Sequence, residues 1–76
     1  MKLLPIYDYY MDFHGYLNAD CIQSIYVDHQ EDYKTKYFIC CSLQGTGGHY
    51  ILESANTLEE AYSELDDIIE ELRKEE

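Results

Sequence analysis

The chain has 76 residues, of which 16 are Asp or Glu and five are Lys or Arg, for a formal net charge of −11. Charge of that sign repels nucleic acid and anionic membranes and attracts basic protein surfaces, which excludes nucleic-acid binding through a basic patch. A hydrophobic fraction of 46% belongs to a folded chain and not to a disordered acidic tail, and residues 1–76 are short enough to be one small domain that buries about 60% of its unfolded surface.

The N-terminus, Met1-Lys2-Leu3-Leu4-Pro5-Ile6, has one lysine and a short apolar stretch, without the long apolar region and small-residue cleavage site of a signal peptide. No apolar run approaches the roughly 20 residues that span a bilayer, so the expected location is the cytoplasm, with no membrane partner. Leu3, Ile6 and the run Tyr7-Asp8-Tyr9-Tyr10-Met11-Asp12-Phe13 have the aromatic and branched content of strand. Pro5 favours an edge or a strand start because it lacks a backbone donor. These residues predict one irregular strand ending near Gly15-Tyr16-Leu17, with Asn18-Ala19-Asp20 as a turn.

Ile22 to Val27 reads as a second strand, and Asp28-His29-Gln30-Glu31-Asp32 as a polar connector. Tyr33 to Leu43 then predicts the longest strand, with Tyr37, Ile39, Cys41 and Leu43 on one face and Lys36, Phe38, Cys40 and Ser42 on the other. Gln44-Gly45-Thr46-Gly47-Gly48 is a hairpin turn, since its glycines can take positive φ. His49 to Glu53 returns as a strand, and Ser54-Ala55-Asn56 leads into a helix.

Thr57 as N-cap and Glu60 three residues later form a capping box, in which each side chain satisfies a free backbone N–H. Leu58, Ala61, Tyr62, Leu65, Ile68, Ile69 and Leu72 recur at the spacing of one apolar helical stripe. Arg73 and Lys74 end the helix where positive charge suits its dipole. The predicted fold is α+β: an antiparallel β-meander of three to four strands with one C-terminal amphipathic helix packed on one face.

Cys21, Cys40 and Cys41 are odd in number, and adjacent strand residues point to opposite faces, so Cys40 and Cys41 are badly placed to bridge each other. Reduced thiols packed as small hydrophobes are expected, with a bridge from Cys21 to one of the other two left open. Gly45-Thr46-Gly47-Gly48 precedes a strand and lacks the Lys-Ser/Thr of a phosphate loop. His14, His29 and His49 share no metal-ligand spacing with the cysteines, and no local spacing assembles a nucleophile, base and orienting group. The expectation is a non-enzymatic chain with no metal and no cofactor.

The helix offers the sharper feature. Glu60, Glu64, Asp67 and Glu71 form one ridge, with Glu59, Asp66 and Glu70 beside it and no basic residue between Leu58 and Leu72. Like charges at i,i+4 cost a few tenths of a kcal/mol that interleaved lysines would recover. Such carboxylates stand roughly 5–6 Å apart, a scale comparable to successive phosphates. Asp28, Glu31, Asp32 and Tyr33 make a second acidic–aromatic cluster. A solvated face and a polar hairpin loop are the plain readings of these two clusters, and a basic protein partner is the functional one. Tyrosines such as those of Tyr7–Phe13 also suit contact surfaces.

From Leu17 to Leu72, Leu17-Asn18-Ala19-Asp20 precedes Ile22-Gln23-Ser24-Ile25-Tyr26-Val27, and a Tyr37-Phe38-Ile39 strand, a Gly hairpin and Thr57-Leu58-Glu59-Glu60-Ala61 follow. This order resembles very small acidic β-sheet-plus-helix proteins of bacteria and phages, some of which are anti-defence factors of the anti-CRISPR type. The resemblance implies an inhibitor that docks on the basic nucleic-acid-binding surface of a larger protein or nuclease as a nucleic-acid mimic. The competing expectation is a structural or regulatory protein that forms a homodimer through its tyrosine-rich sheet.

Overall fold

The computed structural model describes residues 2–33, 37–45 and 47–74. In chain order the elements are β1 (Leu3–Tyr7), β2 (Phe13–Asn18), a 3₁₀ turn (Ala19–Cys21), β3 (Ile22–His29), β4 (Tyr37–Leu43), β5 (His49–Ala55) and α1 (Leu58–Arg73). They form one antiparallel sheet of order β2-β1-β5-β4-β3 and one helix, so the α+β class holds with five strands instead of three to four.

The additional strand comes from the N-terminal segment, which is a hairpin and not one irregular strand. Asp8 makes the turn: its Oδ1 accepts the backbone N–H groups of Tyr10 at 2.9 Å and Asp12 at 3.0 Å. Its own N–H donates to the Asp12 carbonyl, and its carbonyl accepts from Met11 N–H. Met11 sits at φ 63°, a conformation that non-glycine residues rarely adopt. An aspartate that bonds its own downstream backbone bends the chain without Gly or Pro, which is why an aromatic-rich run reads as continuous strand. Gly15, at φ +140°, accompanies a bulge where Ile6 pairs with Gly15 but Tyr7 pairs with Phe13, leaving His14 as the extra residue.

The later elements follow the sequence pattern with shifted ends. β3 runs to His29 and has eight residues, and among the described residues β4 spans Tyr37–Leu43. Tyr33 lies outside β4 in the preceding bend, because its ring is taken by Tyr9 and Phe38. The expected strand over 34–36, with the face given to Lys36, lies outside the described residues. β5 continues to Ala55 through a bulge at Leu52, since Ile39 pairs with Glu53 and Cys40 with Ile51. Gly45 and Gly47 in the β4–β5 turn have φ of +81° and +68°.

Only β3-β4-β5 is a meander. The β1–β2 hairpin joins it on the far side of β5 through one pair, Tyr7 with Ile51. Pro5 therefore lies where β1 is paired to β2 alone, as a residue without a backbone donor requires. The two edge strands, β2 and β3, are consecutive and joined by three residues. Four residue steps reach at most about 14 Å, yet the edges of a flat five-stranded sheet would stand about 19 Å apart. The sheet must curl. The connecting turn is held at its rim by Ala19 N–H on the Lys2 carbonyl and Gln44 N–H on the Cys21 carbonyl, each 2.9 Å.

The curled sheet is apolar on both faces. On one, Ala61 of α1 meets Ile39 and Ala55, flanked by Leu65 and Ile68, and continues into Cys41, Leu52, Ile6 and Leu17. On the other, fully buried Phe38 packs with Cys40 and Ile51 beneath Tyr9, Met11 and Tyr33 from the loops. Tyr9 stacks on Tyr33 at 4.8 Å and meets Phe38 edge-on at 5.1 Å. Burying a Phe side chain is worth about 1.5–3 kcal/mol, so the loops here contribute to stability as an element would.

Candidate functional site

Two surfaces carry chemistry, one on each side of the sheet. The first is α1. Thr57 Oγ1 accepts Glu60 N–H at 3.2 Å, and the Glu60 carboxylate accepts Asn56 N–H at 3.2 Å, one residue earlier than an ideal capping box. At 100° per residue, Glu60, Glu64, Asp67 and Glu71 project about 100° from the stripe of buried Ala61 and half-buried Leu65, Ile68 and Leu72. Leu58 and Tyr62, expected in that stripe, are exposed at its border. They line the flank of the helix over about 16 Å. Glu60, Asp67 and Glu71 are exposed and Glu64 is half-buried, as a flanking position requires. Glu59, Asp66 and Glu70 are exposed and face more nearly away from the sheet.

The second acidic cluster is not part of that ridge. Asp28 pairs with Phe38 across β3 and β4, on the face opposite α1, and Tyr33 stacks over the same face. Glu31 and Asp32 are exposed in the turn after β3. The fold thus brings Glu60, Glu64, Asp67 and Glu71 together, and Asp28 with Tyr33, but not the two sets with each other.

Asp28 borders a cleft of about 570 Å³ on the sheet face away from α1. Cys40 and Ile51 form its apolar floor, and Tyr7, Tyr9 and Tyr26 stand around it. His49 on β5 and Tyr26 on β3 reach each other through a hydrogen bond between the phenol oxygen and Nδ1, and their rings meet edge-on at 5.9 Å. Burial raises the Tyr26 and Tyr9 phenols above their ordinary pKa, and the Asp28 carboxylate adds to both shifts. The Cys40 thiol is pushed up to about 12 by burial first and Asp28 second. The raised values keep Tyr9, Tyr26 and Cys40 protonated at neutral pH. Asp28 Oδ2 accepts from Gln30 Nε2 at 2.8 Å.

Sequence reasoning missed the cleft because its residues come from all five strands and a loop, with no local spacing to link them. Period-two alternation on β4 did place Cys40 beside Phe38, which was the available signal. All three cysteines are free, with Cys21 exposed and Cys40 and Cys41 buried on opposite faces. Among the described residues, no group of three or more His, Cys, Asp or Glu is placed to hold a metal ion, and no helix is long and apolar enough to cross a membrane. Comparison with known protein families, curated proteins and solved structures finds no match to this chain.

Proposed function

We propose that the chain is a non-enzymatic binding protein of the cytoplasm whose α1 ridge docks on the basic nucleic-acid-binding surface of a larger protein. The observation that carries this reading is the continuous flank of Glu60, Glu64, Asp67 and Glu71 on a helix without a basic residue before Arg73. The repulsion within the ridge is small but uncompensated by the chain itself, and a basic groove would relieve it. The concrete form is a phage-type anti-defence inhibitor that occupies the DNA channel of a CRISPR effector nuclease. Attraction of this kind speeds encounter and is screened over about 10 Å at 0.1 M salt.

The experiment is competition for target duplex on guide-loaded CRISPR effectors and on other nucleases, with the chain titrated in at low and high salt. Displacement of DNA that fades as salt rises is expected. Failure to displace DNA from any of them at low salt removes the mimic reading.

A second reading has its own observation. Leu3, Phe13 and Tyr16 on the β1–β2 hairpin are more than half exposed, and β2 is an edge strand. An apolar edge of this kind is a template for pairing with another copy. A dilution series of molar mass tests it: a dimer that persists at low concentration, with no affinity for basic partners, favours self-association over inhibition.

A further inference from the structure

The cleft opposite α1 lies outside the ridge reading, and its chemistry is specific. Its floor is apolar, four tyrosines (Tyr7, Tyr9, Tyr26 and Tyr50) line it, and Asp28 of β3 lies at its border. None of the described residues that line it is Lys or Arg. Asp8, the other acid at its border, commits Oδ1 to two backbone N–H groups of its own turn. Asp28 accepts one side-chain donor, Gln30 Nε2 on Oδ2, and acts electrostatically on Tyr9, Tyr26 and Cys40 of the cleft. Its other lone pairs can take a forked donor. Tyrosine faces attract cations through the ring quadrupole. An apolar floor penalises a strongly hydrated ammonium, whereas a guanidinium is weakly hydrated, stacks flat on rings and presents forked donors to a carboxylate. The cleft volume of about 570 Å³ exceeds what one side chain fills, leaving room for the flanking backbone of a peptide.

We propose that this cleft is a binding site for the arginine side chain of a peptide segment, with its guanidinium against Tyr7, Tyr9 and Tyr26 and donating to Asp28. The remaining face of the sheet is closed by Tyr9, Met11 and Tyr33, so the segment enters beside these loops and not over them. His49, hydrogen-bonded to Tyr26, also lines the cleft. The site works without α1, and a partner need not touch the helix to use it.

The test is an NMR titration of the full chain with acetyl-Gly-Arg-Gly-amide, its lysine analogue and its citrulline analogue, which keeps the arginine shape but not the charge. Saturable shifts at Tyr26, Cys40 and Ile51 are expected with the arginine peptide. The lysine peptide should bind a few-fold more weakly, in line with a lost stacking contribution. The citrulline peptide and the Asp28→Asn variant should each lose about tenfold, the scale of one hydrogen bond between charged groups. Equal binding of arginine and citrulline peptides would overturn the proposal, and this comparison needs no variant to fold. So would shifts confined to α1, or an Asp28→Asn chain with an unchanged spectrum and undiminished affinity.

Discussion

Single side chains set the sharpest expectations. Burial pushes the Cys41 thiol up to about 11 and the Cys40 thiol to about 12, from an ordinary 9.0, while Cys21 is exposed. The thiolate is the reactive form, so native protein should show one thiol reacting with an aromatic disulfide reagent at pH 8, and three after denaturation. The same shifts make stability depend on pH. A thiol whose folded pKa exceeds its unfolded value favours the fold while both states are protonated, and that contribution is lost as pH rises. Denaturation midpoints should be level below about pH 9 on this account and fall as pH climbs through 11 toward 12. A midpoint that stays constant to pH 11 would place these thiols in water. Ala61 makes a second case, fully buried where α1 meets Ile39 and Ala55. Ala61→Leu should cost about 1–3 kcal/mol by overpacking, read as a lowered urea midpoint at unchanged slope.

Elements differ in how far their causes are local. The helix was legible because Thr57, the apolar stripe and Arg73 all act within α1, and its observed span of Leu58–Arg73 follows them. Removing the local cause should therefore show: Thr57→Ala is expected to cost about 1 kcal/mol and to lower the melting temperature by about 4–8 °C. No change would mean that packing alone defines the helix start. β4 was legible in its faces, but neither β4 nor β5 was legible in its ends: Tyr33 leaves the strand to stack on Tyr9, a partner 24 residues away, and β5 runs on through a bulge to Ala55. The β1–β2 hairpin was not legible at all. Its turn rests on Asp8 and on a positive φ at Met11, neither of which has a strong sequence signature. The cleft was illegible for a related reason: its tyrosines, Cys40 and His49 converge only once the sheet has curled.

At the scale of the whole molecule, charge and topology act separately. A three-residue link between the edge strands forces the curl, and the folded chain has two chemically distinct sides, a carboxylate flank on α1 and an aromatic cleft behind the sheet. A net charge of −11 opposes the compact state by self-repulsion. Added sodium chloride should therefore raise the melting temperature even as it weakens any complex formed through the ridge. Glu60 has two duties, because its carboxylate also accepts Asn56 N–H, so reversing its charge would disturb the cap along with the surface. Glu60→Gln keeps an acceptor there, and Glu64→Lys, Asp67→Lys and Glu71→Lys reverse the rest of the ridge. The decisive measurement is the affinity of this fourfold variant for the nuclease from which the wild-type chain displaces DNA, taken beside a circular-dichroism check of the helix. With helicity kept, the ridge account predicts at least a tenfold loss, about 1.4 kcal/mol, and a flatter salt dependence than the wild-type chain shows. Undiminished affinity with the same salt slope would show that the carboxylates of α1 face only water.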